Sequence, residues 1–304
     1  MNTVGPLFGP GSVTWDVLRQ PIYLVGGMRA LLLQIAEPKI AAGVAEHSDV
    51  VNELFPRLQH TIDLMVIVGL GEPDEAQTAL HRVHRAHLGV HGTLADGAPY
   101  HAHDPELKLW VLATLIDTVL VVEERYLGEF DEEARCRYYQ ESRQVARLFG
   151  IPETLIPPDL DSFRAYMSQR LAGLEISDTA RQLCNYVVRP RFRFVPSFLF
   201  APLRPVAADL LPPRLRAAYG LSLTSRQRRL VRRWQAVSRA VVPRLPQWVR
   251  TFPLLHPLQG ARDRLGPLAA GLRSHNRGPT TPSASRRDGT GRLRDRPGGP
   301  VSRL

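Results

Sequence analysis

Leu109-Trp-Val-Leu-Ala-Thr-Leu-Ile-Asp117-Thr-Val-Leu-Val-Val122 is the stretch on which the fold class turns. A run this apolar is either a membrane span or the central helix of a globular core, and length separates the two. As a helix it rises only about 21 Å, short of the ~30 Å hydrocarbon layer of a bilayer. Asp117 in its middle is costly in lipid but can be paired inside a protein. The run therefore predicts a buried helix, opened by Asp104-Pro105-Glu106, since proline suits the first turn of a helix.

Outward from it the pattern stays helical. Upstream, Leu24 to Ala36 and Ile40 to His47 are predicted helices on either side of Pro38. From Val50, residues Leu54, Arg57, Leu58, Thr61, Leu64 and Met65 recur at spacings of three and four, so Arg57 and Thr61 share a face with apolar neighbours. Gly69-Leu-Gly71-Glu-Pro73 ends that helix, and the next is predicted over Glu75 to Val90, closed by Gly92. Downstream, helices are predicted to Phe149, over Asp161 to Leu174, over Ser177 to Val188, in short pieces around Pro212-Pro213, and over Arg226 to Val242. Only Arg191 to Phe200 hints at a strand, and three prolines interrupt or flank it. The class is all-α, a single multi-helix domain over 22–242, with an irregular Gly/Pro-rich arm at 1–21 holding one helical turn near Thr14.

The net charge of +10 belongs to one end. Residues 222–304 hold 18 arginines and 3 aspartates, a balance of +15, which leaves −5 for the rest. The segment 243–304 is a basic Pro/Gly/Arg-rich tail, expected to be largely disordered from about residue 275. Arg226, Arg228, Arg229, Arg232 and Arg233, with Trp234, make a basic amphipathic helix suited to anionic membrane or nucleic acid. The chain has 37 arginines against 2 lysines, so composition alone also accounts for a solvated basic face. Cys136 and Cys184 are too few for a disulfide framework, although a single bridge stays open, and no secretory signal is visible at Met1 to Trp15. The expected location is cytoplasmic, with peripheral membrane contact through 226–242 as an option.

Six of the ten histidines fall between His81 and His103. On a continuous helix His84, His87 and His91 share one face, and His87 with His91 has the i, i+4 spacing of two zinc ligands. The glutamate that a zinc peptidase places after the first histidine is replaced by Leu88. Each histidine taken alone is equally well a surface residue.

The order Pro38, Ala41-Ala-Gly-Val-Ala-Glu46-His-Ser48, Arg57-x-x-x-Thr61, His87-x-x-Val90-x-Gly92, Asp96-Gly97, Tyr100-x-Ala102, Asp104-Pro105 and Trp110-Val111 closely resembles the rubber oxygenases (latex clearing proteins) and MpaB-type oxygenases. The likeness runs over about residues 20–240 and includes Gly150-Ile-Pro152 and Leu210-Leu-Pro-Pro-Arg-Leu-Arg216 with Tyr219-Gly-Leu221. It implies a globin-like helical core around haem b, with His87 as proximal iron ligand and His91 as its rival. It also implies that Arg57 and Thr61 serve the cofactor and the catalysis, Arg57 toward a propionate and Thr61 toward bound dioxygen. The implied reaction is O2-dependent cleavage of a hydrophobic, isoprenoid-like double bond, with Leu64, Met65, Leu115 and Val119 as candidate pocket walls and Glu46 or Glu53 as candidate base. The chain departs from the pattern at Glu37 and Leu112, where many relatives carry histidine. A second reading, of a different class, is a non-catalytic basic helical protein that binds anionic membrane or nucleic acid.

Overall fold

A computed structural model describes residues 5–48, 50–189, 202–251 and Ala261, all within one unit, Met1–Pro267. Its spine is the predicted apolar helix, α6 (Pro105–Val122), started by Asp104, whose carboxylate accepts from the Glu106 N–H at 2.9 Å. Leu107, Leu109, Trp110, Ala113, Thr114, Thr118 and Val122 are buried, so nearly the whole circumference faces protein. Among the described residues no helix is long and apolar enough to cross a membrane.

Against α6 lies α2 (Gly27–Gln34), entered by a 3-10 turn at Pro21–Gly26. The approach is close because Gly26 lacks a side chain: a Cβ there would stand 2.3 Å from Thr118 Cγ2. Arg29, 2% exposed, explains the aspartate in the apolar run. Its Nη2 donates to Asp117 Oδ2 at 2.5 Å, its Nη1 to Thr118 Oγ1 at 2.6 Å and its Nε to the Leu210 carbonyl at 3.0 Å. Trp110 Nε1 donates to the Leu33 carbonyl and the Tyr219 hydroxyl to that of Leu32, so both aromatic residues cover backbone at the C-terminal end of α2. The partners Leu210 and Tyr219 belong to α10 (Leu203–Leu210) and the residue after α11 (Pro213–Ala218).

The arm differs from expectation. Where one turn was predicted, α1 (Val13–Arg19) makes two, capped by Ser12 and by Glu141, whose carboxylate accepts from the Val13 and Thr14 N–H groups. That anion comes from α7 (Glu132–Leu148), 127 residues away, and has no local signature. Two further helices, α3 (Pro38–His47) and α4 (Val50–Leu70), precede the turn at Gly71, and α5 (Pro73–His87) returns antiparallel along α4 behind a reciprocal Glu72/Glu75 capping box.

The predicted Glu75 to Val90 helix stops early. It ends at His87, and the chain turns through Leu88-Gly89 into a hairpin of β1 (His91–Thr93) and β2 (Pro99–His101), with His91 opposite His101 and Gly92 opposite Tyr100. Gly97, at φ +85, makes the turn. At the far end of α6 the residues Glu123–Leu127 form a π-turn, stopped by Gly128 in the left-handed region. Glu123 is fully buried there, and its Oε1 accepts from the Glu129 and Phe130 N–H groups at 2.5 and 2.8 Å. The remaining helices are α8 (Leu160–Gly173), α9 (Asp178–Val188), α12 (Ser225–Val241) and α13 (Gln247–Arg250). Both cysteines are free, Cys136 exposed and Cys184 buried. The strand-like run Arg191 to Phe200 and the tail beyond Ala261 lie outside the described residues.

Candidate functional site

Chain geometry gathers the candidate residues at one end of the α4–α5 hairpin. Thr61 and Arg82 each lie about ten residues from the Gly71 turn, so at ~1.5 Å per residue both stand roughly 15 Å along it. Arg57 and His87 stand about one turn further on the same count. Thr61 is half-buried, and so is His87 in the last turn of α5. For Arg57 the helical position in α4 is described and its side chain is not.

Four imidazoles meet where α5 delivers the chain to the hairpin. The ring of His103 lies 4.2 Å from that of His84, 5.2 Å from that of His101 and, edge-on, 6.3 Å from that of His87. Both ring nitrogens of His103 are buried, with the His84 backbone close to the ring at less than good hydrogen-bond geometry. Burial first, then the neighbouring charges of His84, Lys108 and His101, holds His103 below the usual histidine range, against a backbone contact at His84.

The zinc reading at His87 and His91 needs one continuous helix, and the structure breaks it. His91 lies on β1, exposed, its ring stacked 6.0 Å from that of His101, while its carbonyl accepts from His47 Nε2 at 3.0 Å. Among the described residues no group of three or more His, Cys, Asp or Glu is arranged to hold a metal ion.

The hairpin is anchored by a contact that spacing could not show. The Tyr100 hydroxyl donates to Glu46 Oε2 at 2.5 Å, and burial, reinforced by that carboxylate, pushes the phenol up to about 12. Opposite, Gly92 packs so tightly that a Cβ would lie 2.6 Å from the Tyr100 hydroxyl, and Gly43 of α3 completes the cradle. The segments 41–48, 90–92 and 100–102 thus converge on one side chain. Glu46, a candidate base, is engaged as its acceptor. The two departures are also structurally employed: Glu37 pairs with Arg170 at 2.8 Å, Arg170 stacks over Trp110, and Leu112 is buried in α6. Of the pocket-wall candidates, Leu64, Met65 and Val119 pack on the main apolar core, and Leu115 is half-buried.

Haem needs one imidazole from the protein on its proximal side, not a multi-residue cage. The chemistry of the donor set suits that demand: half-buried His87 sits in the last turn of α5, with the imidazoles of His84 and His103 beside it. Sequence reasoning counted His103 in the cluster without singling it out, because its burial follows from the hairpin folding back on the end of α5.

Comparison with known proteins places the chain in a family. An uncharacterised protein of Mycobacterium bovis and another of Mycobacterium tuberculosis are each 27% identical over 211 residues, which is 66% of this chain and 80% of theirs. No solved structure matches. The model of a family described as ER-bound oxygenase mpaB/B'/rubber oxygenase, catalytic domain, matches residues 15–240, the interval from α1 to the end of α12 that contains every element of the hairpin, the histidine cluster and the α2–α6 core, and the chain belongs to that oxygenase family.

Proposed function

We propose that the chain is a haem b oxygenase that uses O2 on a hydrophobic, unsaturated, isoprenoid-like substrate. The family match over 15–240 supports it, and the observation that carries the cofactor assignment is the cluster of His87 with His84, His101 and His103 at the end of α5. When bound, haem supplies the oxygen activation. The protein's own residues do the rest. His87, in the last turn of α5, would hold the iron. Arg57 would offset a propionate charge, and Thr61 would offer a hydroxyl to a bound oxygen.

The test is the visible spectrum and pyridine haemochrome of protein produced with a haem precursor, beside His87→Ala, His91→Ala and His103→Ala. The expected result is a Soret band in the wild type and in His91→Ala, lost in His87→Ala. A wild type that stays colourless and iron-free refutes the cofactor. Loss confined to His103→Ala moves the ligand to α5's neighbour and refutes the assignment of His87.

A further inference from the structure

Helix α12 leaves an apolar stripe uncovered. Val231 and Ser238 face the protein, yet Leu230 is 61% exposed and Val237 58%, with Val241 exposed as well and Trp234 partly so, its ring edge-on against buried Tyr126. Single exposed apolar side chains need no explanation, but these four recur at i, i+4, i+7 and i+11. At about 100° per residue they fall within a sector of roughly 60°, next to the face that contacts the protein. Arg226, Arg233 and Arg229 follow on the outer side of the stripe, all exposed. Across residues 222–251 there are eight arginines and no acidic residue. Trp248 on α13 is the most exposed large apolar side chain of the described residues, at 73%. Its helix is fixed by Arg250, which pairs with Glu129 and donates to Gln20.

We propose that this face of α12 docks on an anionic lipid bilayer, with Leu230, Val237 and Val241 entering the acyl boundary and the Arg226–Arg229–Arg233 row meeting the headgroups. The charge names the occupant. A second copy of the chain would bring one arginine row against another, and nucleic acid has no use for an aliphatic stripe. A bilayer with acidic headgroups satisfies both halves of the surface, and the stripe lies in the interface plane rather than across it. The proposal does not depend on haem, so a colourless protein leaves it intact.

The test uses the full chain in sedimentation with vesicles of phosphatidylcholine alone and of phosphatidylcholine with phosphatidylserine. Binding to the anionic vesicles is expected at least tenfold tighter, with about fivefold lost per arginine in single Arg226→Gln and Arg233→Gln variants. Leu230→Gln/Val237→Gln is expected to weaken binding at least tenfold while its thermal melt stays at the wild-type value. A second readout needs no variant: bromine-labelled acyl chains are expected to quench tryptophan emission of the bound protein. Three results overturn the proposal. They are no binding to anionic vesicles, binding that salt abolishes but Leu230→Gln/Val237→Gln leaves unchanged, and a solution dimer dissolved by that double variant in a protein that ignores vesicles.

Discussion

Replacing Arg29 by methionine keeps the length of the side chain and removes its charge from the centre of the α2–α6–α10 junction. Three bonds go at once: to Asp117, to Thr118 and to the Leu210 carbonyl. Breaking a buried pair from one side costs about 3–5 kcal/mol, because the surviving charge is left uncompensated. Asp117 keeps some access to water, its side chain 19% exposed, which favours the middle of that range. Taking about 4 kcal/mol, and ~2–4 °C per kcal/mol for a unit of this size, the melting temperature falls by roughly 8–16 °C. The double variant Arg29→Met/Asp117→Leu removes both charges, and the expected loss shrinks to about 2 kcal/mol, the share of the abandoned Leu210 carbonyl and Thr118 hydroxyl. Urea unfolding followed by circular dichroism, run as a double-mutant cycle, measures the coupling. A single variant costing under about 1 kcal/mol, or two variants whose losses simply add, refutes the pairing as the organiser of this core.

Other outcomes follow from the same contacts. Gly92→Ala forces a methyl into the Tyr100 ring and is expected to cost about 1–3 kcal/mol by chemical denaturation, with any haem binding weakened in step. Tyr100→Phe removes the donor to Glu46 at a cost of about 1.5–3 kcal/mol, measured the same way, and a change under half of that denies the contact its role. Burial pushes the Cys184 thiol up to about 11, so native protein is expected to present one rapidly reacting thiol to Ellman's reagent, Cys136, and two after unfolding. Glu123→Ala strips the acceptor from the Glu129 and Phe130 N–H groups and is expected to cost about 2–3 kcal/mol, whereas Glu123→Gln retains that acceptor and costs less.

The helices were legible where periodicity acts locally. The α6 run announced itself as buried by its length and by Asp117, but not its partner, since Arg29 lies 88 residues upstream and nothing periodic links the two. His91 was placed on a helix because helical spacing continues through Leu88, and pairing with residues 99–101 decided otherwise. That pairing is a tight hairpin around Asp96-Gly97, and the strands are only three residues long, too short for an alternating pattern to announce them. Motif order identified Gly92, Tyr100 and Glu46 as members of one set without revealing that they touch. Arg57 and Thr61 were correctly put on one helix, α4, by their four-residue spacing. The basic helix was visible as charge, while the exposure of Leu230 and Val237 depended on which side α12 turns to the core.

The satisfaction of α2 by distant residues also sets an order of events in the cell. Arg29 waits for Leu210, and the Leu32 carbonyl waits for the Tyr219 hydroxyl, 187 residues later. At ~5–20 residues per second the interval is roughly 10–40 s, long beside the microseconds in which a helix forms. Until Leu210 and Tyr219 emerge, the α2–α6 core lacks the contacts that complete it and the apolar spine is uncovered. That makes the nascent chain, rather than the finished protein, the stage at which chaperone capture matters most, and a chain stopped before Tyr219 a substrate for proteolysis.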